Sequence, residues 1–378
     1  MFVTNNALTT NSYICVVFPS SISIAGSCSS TNSFISCSII NSSYANLTVS
    51  GSIPASTNIS ITFNQVTNPS QAYTTTSIQI YTYWDSGLDS MVDTLTTGLT
   101  ITTKARPISN VAITPTSLVT YAFTDYAFSM TTLDPIPSGG IIVITFPPTI
   151  TLGNVSIISA SFSTASCNIS ISGNTVTLSS CFGSTLAAGS HTFNLSKIYN
   201  PPSLQPTTTF SIITAGALGN INYINASLTV TMVTPATSLA FSVAPNSQTV
   251  HAVTTYNISI TFAVPHQSGD YFTFNIDASM AITSLNCTPN SGITSVSCFL
   301  YNSSSINITF TATPSTSIQI AVSSITNYDI SSTGITYQAL LYNSLNYQME
   351  TTSITTITYN PDSITSISVN NNQQIALY

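Results

Sequence analysis

The feature that most restricts the fold is a repeat: short runs of alternating apolar and polar residues recur with a period near 128 residues. Three runs of like pattern, ICVVFPSSISIAG, IIVITFPPTITLG and YFTFNIDASMAI, put Phe18, Phe146 and Phe274 at matching points. Pro107 and Pro235 keep the same spacing, and Pro361 follows 126 residues later. A looser marker, VTNPS, IYNPP and ITNYD, sets Asn68, Asn200 and Asn327 at equivalent places. A chain rich in Ser, Thr and Ile resembles itself at many offsets, so the weight rests on three separate markers agreeing.

Inside each copy the signal has period 2. It is seen in NISITFNQV (Ile59, Ile61, Phe63), NTVTLSS (Val176, Leu178), ASLTVTMV (Leu228, Val230, Met232) and YNISITFAV (Ile258, Ile260, Phe262). Gly, Pro, Asn or Ser bounds each run, as between strands, and no window carries a capped helical stripe. Roughly seven to nine short strands per copy, apolar on one face and hydroxylated on the other, describe a β-sandwich of immunoglobulin-like type. The predicted fold is all-β: three tandem sandwiches, 1–107, 108–235 and 236–361, followed by an extended C-terminal strand, 362–378.

Composition narrows the partners. Only 3% of residues are charged, against about a quarter in ordinary domains. Ser and Thr make up about a third of the chain. The bases are Lys104, Arg106 and Lys197 against ten acids. Three bases cannot neutralise a row of phosphates or hold an anionic membrane surface, so nucleic acid is excluded as a partner. No apolar run is long enough to span a bilayer as a helix. The opening MFVTNNALTTNSYICVVFPSS has no basic start and no compact apolar stretch, so it does not read as a signal peptide. If the protein is exported, the expectation is that Met1 is not the initiator.

Six of the seven cysteines fall as one close pair per copy: Cys28 with Cys37, Cys167 with Cys181, Cys287 with Cys298. Two Cys per copy without a nearby His fall short of a four-ligand zinc site. Disulfides are therefore expected, and with them an oxidising, extracellular compartment. CNISISGNTVTLSSC reads as a hairpin, and a three-residue loop, Gly173 to Thr175, would set Cys167 opposite Cys181. The other two pairs are expected to bracket turns at Asn32-Ser33 and Asn290-Ser291-Gly292 in the same way. Cys15 is left as a buried free thiol.

Eleven N-x-S/T acceptors occur, at Asn41, Asn46, Asn58, Asn154, Asn168, Asn194, Asn225, Asn257, Asn286, Asn302 and Asn307. Chance delivers about that many in a chain with 32 Asn and this much Ser and Thr. Export makes N-linked glycans, and O-linked sugar on the hydroxyls, expected partners. Catalysis is not expected. His191, His251 and His266 have no acidic partner at a telling spacing, and no nucleophile elbow, phosphate loop or cofactor motif occurs. The acidic segment WDSGLDSMVD, with Asp85, Asp89 and Asp93, reads as a solvated hairpin, with a Ca²⁺ site as the alternative. Trp84 and IYTYW could stack on a sugar, or pair across strands.

The two ends of the chain complement each other. The tail DSITSISVNNNQQIALY shares S-V-x-x-N-x-Q with the opening strand of the third copy: Ser368, Val369, Asn372 and Gln374 against Ser242, Val243, Asn246 and Gln248. Counting back from Phe18 and Phe274 aligns Met1 with about Asn257, so the first copy lacks an opening strand. Two readings follow: the tail of one subunit completes the first sandwich of the next, or the sequence is a segment of a longer array. Head-to-tail donation does not close on itself and so propagates into a fibre. Ile364, Ile367, Val369, Ile375 and Leu377 are then the assembly positions. The arrangement resembles filament subunits that assemble by donor-strand exchange, such as pilins, and more broadly the tandem immunoglobulin-like repeats of cell-surface proteins. That resemblance implies a non-enzymatic subunit of an extracellular filament or coat whose partners are identical subunits. The alternative is a cell-surface adhesin or glycan-binding array.

Overall fold

Residues 1–224, 227–277 and 279–363 are described by a computed structural model, and among them there is no helix. The chain is all-β, and its buried apolar residues gather into three main cores, Leu8 to Ile80, Ile108 to Met232 and Val243 to Tyr359. The third shows the plan most clearly. One sheet runs Ala240–Pro245, Val253–Thr261, Ser317–Thr326, Ile282–Ser291; the facing sheet runs Gln348–Thr351, Ala339–Tyr342, Tyr271–Asn275, Ser305–Phe310, Val296–Asn302. Period-2 alternation turns Tyr256, Ile258 and Ile260 of one layer toward Phe272, Phe274, Ile306 and Ile308 of the other, and all are buried. Each such side chain contributes about 1.5–3 kcal/mol by leaving water. Phe146 and Phe274, two of the repeat markers, are core residues.

The opening strand of a copy does not stay in one sheet. In the second, Arg106–Pro115 first runs parallel to Asn220–Ile224, pairing Arg106 with Asn222 and Ile108 with Ile224. After a register break it pairs antiparallel with Phe123–Thr132, Ile113 opposite Phe128. Asn110, in the break, has φ 49°. In the third, Ala236–Thr237 pairs parallel with Gln348–Thr351, and Ala240–Pro245 pairs antiparallel with Val253–Thr261. One strand thereby covers an edge of both layers.

A buried asparagine locks the loop that follows. Asn327 is fully buried; its Oδ1 accepts from the Tyr256 hydroxyl at 2.7 Å, and its Nδ2 donates to the Ser247 and Thr249 carbonyls at 2.8 and 2.7 Å. Asn200 repeats this with Tyr126 at 2.7 Å and with the Ser117 and Val119 carbonyls, both at 2.8 Å. Three residues before each stands a left-handed residue, Lys197 (φ 66°) and Ser324 (φ 65°), at a bulge that turns the asparagine inward.

The cysteines join as Cys28–Cys37, Cys167–Cys181 and Cys287–Cys298, but their settings correct the expected geometry. The middle hairpin has a two-residue turn, with Ser172 opposite Thr175 and Gly173 at φ 56°. A single positive φ at the first central position is the type II′ pattern that suits strand twist. Ser180, at φ 58°, then bends the chain so that Cys181 comes back to Cys167, with Cα atoms 4.1 Å apart. The outer two pairs do not close hairpins. Cys28 lies in Cys28–Ser30, paired with Ile61–Phe63, while Cys37 lies in Ile35–Asn41, paired with Tyr44–Val49 in a different sheet. Cys287 and Cys298 likewise sit on edge strands of opposite layers. These bonds tie one layer to the other.

Second and third cores meet through an apolar patch of Val119, Tyr121, Ala236, Ala263, Val264 and Met349. Thr120 bonds across it, its hydroxyl donating to the Met349 carbonyl and accepting from the Ala236 N–H. Beneath lies a buried ionic group. Glu350 accepts the Ala263 and Val264 N–H groups at 2.9 and 3.0 Å and the Ser238 hydroxyl at 3.0 Å. His266 sits 3.5 Å from Glu350 and 3.4 Å from Asp270, against the rings of Phe262 and Phe310. Neither contact is well aligned as a hydrogen bond. Burial alone disfavours the imidazolium, but the two carboxylates outweigh it and the pKa is raised above the ordinary histidine value.

Two outcomes are expected. Asn327→Ala leaves the Ser247 carbonyl without its donor and removes one of two partners from the Tyr256 hydroxyl and from the Thr249 carbonyl, which keep the Tyr359 hydroxyl and the Ala252 N–H; it lowers stability by about 2 kcal/mol in denaturant titration. For His266, a raised folded pKa means that its stabilisation is complete below the unfolded value near 6.5 and fades as pH rises through the folded value. Calorimetric scans in steps from pH 6 to 9 should show a falling midpoint in the wild type and a flatter one in His266→Gln.

Candidate functional site

The first core is built on the same plan, with one side left open. Its complete sheet runs Met91–Leu95, Gln79–Tyr83, Tyr13–Val17, Tyr44–Val49, Ile35–Asn41. The facing layer is made of short pieces: Phe2–Val3 with Asn58–Ile59, Cys28–Ser30 with Ile61–Phe63, and Ser23–Ile24 with Val66–Thr67.

Strand pairing fixes what is absent. Ile59 and Ile318 each stand nine residues before the marker asparagines, Asn68 and Asn327; Ile318 pairs with Ile260, and Ile59 pairs with Phe2. Phe2 therefore occupies the place of Ile260, and Met1 that of Ser259. This corrects the alignment of Met1 with Asn257 by two residues. In register, positions 253–258 of the third copy fall between the tail and the head. The copy has no counterpart among the described residues to Ala240–Pro245, nor to the first part of Val253–Thr261.

Among the described residues two strand edges are consequently without a neighbour. In the third copy Ser317–Thr326 has a neighbour on each side; the equivalent run Ile61–Thr67 is paired only toward Ser23–Ser30. Met91–Leu95 ends its sheet, where Asn220–Ile224 and Gln348–Thr351 each receive a parallel opening strand. Beside Met91–Leu95 opens a cleft of about 340 Å³ lined by residues of Met1–Asn5, Ile80, Thr82 and Asp93–Leu95. Met1 is 81% exposed, Val3 55%, Met91 53% and Leu95 40%. An apolar rim with unpaired backbone is the geometry that accepts an added strand. Asn68 is exposed, and no side-chain hydrogen bond of its own is seen among the described residues. The assembly positions Ile364, Ile367, Val369, Ile375 and Leu377 lie outside the described residues, as does Asn225.

Asp93, at this cleft, accepts the Asn6 side-chain amide at 2.9 Å, tying the head to the last strand of the sheet. Asp85 instead caps its own turn, accepting the Gly87 N–H at 2.9 Å. A hydrogen bond from Ser90 leads the effects that hold its carboxyl below the ordinary value. Among the described residues no group of His, Cys, Asp and Glu has an arrangement that could hold a metal ion. Trp84 is exposed beside the paired rings of Tyr81 and Tyr83.

The acceptors Asn41, Asn58, Asn154, Asn168, Asn286 and Asn302 are exposed, and Asn46, Asn194 and Asn257 are half-buried. Asn307 is 8% exposed, and its Oδ1 accepts the Thr273 hydroxyl at 2.8 Å. Cys15 is buried and unbridged, accepting the Tyr44 hydroxyl at 2.9 Å, and burial raises its pKa. The histidines also differ from expectation. His251 lies 3.4 Å from Asp329, and His266 has two acidic neighbours. The spacing of His266 and Asp270 was visible as HQSGD; Glu350, far along the chain, was not. His191 is buried beside Thr132, and burial lowers its pKa.

No family model and no curated protein matches the sequence. Solved structures with some likeness include the C-terminal domain of the Streptococcus agalactiae AgI/II polypeptide BspA. It is 10% identical over 64% of this chain and 94% of that one, with a TM-score of 0.27. The serine-rich repeat adhesion glycoprotein Srr1, also from Streptococcus agalactiae, is 12% identical over 65% and 96%, at 0.23. The bacterial hydrophobin BslA is 18% identical over 34% and 98%, at 0.24. At these scores the likeness carries no functional argument.

Proposed function

We propose that the chain is a non-enzymatic array of β-sandwiches in an extracellular cell-surface protein, serving as a coat or adhesive stalk. Three cores in series, each with its own disulfide, support an oxidising compartment. Hydroxyl and amide faces with few charges support a sugar-covered surface in place of a charged one. Exposed acceptors such as Asn154 and Asn286 are where N-linked glycans would sit.

One observation favours a second reading within the first. The open edge beside Phe2–Val3 and Met91–Leu95 lies where the other copies carry their opening strand. Residues 362–378 have the pattern of such a strand. Their insertion into the first sandwich of a neighbour would extend the array head to tail, as a filament.

Negative-stain electron microscopy of residues 1–378 and of a 362–378 deletion tests this. Strand donation predicts fibres or linear oligomers from the full chain and single particles from the deletion. Fibres from both, or single particles from the full chain at high concentration, would leave only the array reading.

A further inference from the structure

We propose that Asn68 is the docking residue for an incoming opening strand, gripping it through two backbone carbonyls, and that residues 362–378 of a second copy supply them. This rests on the strand-donation reading and adds the side chain that reads the donor.

Three asparagines mark the repeat, and two show what the position does. Asn200 and Asn327 are buried, and each carboxamide donates to two carbonyls of the loop after the opening strand. Asn68 has the same backbone setting. Gln65, three residues before it, is left-handed at φ 56°, like Lys197 and Ser324, and Pro69 follows it as Pro201 follows Asn200. Yet Asn68 is exposed and its two donors meet no acceptor among the described residues. A donor group shaped for a loop, in a copy with no such loop among the described residues, is half of a binding site.

The S-V-x-x-N-x-Q match assigns the other half. With Ser368 at the place of Ser242, Gln373 falls at Ser247 and Ile375 at Thr249. These are the residues whose carbonyls Asn327 takes. Val369 falls at Val243, which is buried in the third core and pairs with Ile258. The same alignment puts Tyr378 at Ala252, whose carbonyl accepts the Asn327 N–H at 3.0 Å. The docked tail would thus set an apolar side chain into the first core while its backbone closes on Asn68. The tyrosine of the complete lock is not supplied by the tail, since its register position lies ahead of Met1. Asn68 Oδ1 then stays in water, and the grip consists of the two donated bonds.

The test uses the full chain at a dilution that keeps it unassembled, with a fluorescent peptide of residues 362–378 and binding read by anisotropy. Asn68→Ala and Asn68→Asp should each weaken binding roughly ten- to a hundred-fold, the loss expected for two hydrogen bonds. Asp keeps the size and acceptor oxygens but loses both donors, so equal loss in the two variants isolates donation. The thermal midpoint should not move, because the side chain bonds nothing among the described residues of the free protein. A peptide with Val369→Asp should bind neither variant nor wild type. Wild-type affinity in both Asn68 variants would overturn the role of Asn68 and leave strand donation standing. Failure of the wild-type chain to bind the peptide would overturn both.

Discussion

A two-layer sandwich must satisfy or hide the backbone groups along its edge strands, and here that constraint governs everything else. Edge strands are commonly blunted by lysines or inward-pointing charges, and a chain with three bases has almost none to use. Geometry takes over that task. In the second and third copies one opening strand pairs with both layers in turn and so covers an edge of each. On the opposite side, Cys28–Cys37 and Cys287–Cys298 tie edge strands of the two layers together. The middle copy uses its cysteines otherwise, to close the hairpin on its edge. Disulfides and crossing strands thus act where charge would act in a more ionic protein.

How much of this was legible in the sequence follows from the range over which each signal acts. Strand alternation is local, so Ile258 and Ile260, or Val176 and Leu178, reveal their inward face without knowledge of the partner strand. Cysteine proximity is also local, but it does not say which sheet each residue joins. Cys287 and Cys298 look like the base of a hairpin and in fact belong to opposite layers. The loop at Gly173 was misjudged for a related reason: a left-handed Ser180, outside the loop, absorbs the residue that the count assigned to it. The ion group at His266 was half visible. Asp270 stands four residues away, while Glu350 arrives from a strand at the far end of the copy.

The asparagine markers show the reverse, a signal whose position was visible and whose meaning was not. Asn200 and Asn327 recur because one carboxamide saturates a tyrosine hydroxyl and two carbonyls at once, inside a core where each would otherwise be costly. A leucine there would pack but leave the Ser117 or Ser247 carbonyl without its donor. The repeat keeps a polar residue in its interior because the Ser117 and Ser247 carbonyls have no other donor among the described residues. Asn68 carries the same residue with no counterpart of that loop among the described residues, and it is exposed.

Strand addition alone would be a poor code in a protein of this composition. Ile, Thr and Ser alternate through much of the chain, so many segments could present an apolar face to an open edge. A slip of two residues would preserve that face, and a slip of one would turn Val369 outward. Backbone pairing cannot separate such registers, because each makes similar ladder bonds. A side chain at one fixed point, bonding carbonyls two residues apart in a bent loop, can separate them, since only one register brings the loop to it. The residue that completes the fold of the second and third copies is thus suited, in the first, to tell a correctly placed strand from its neighbours in sequence.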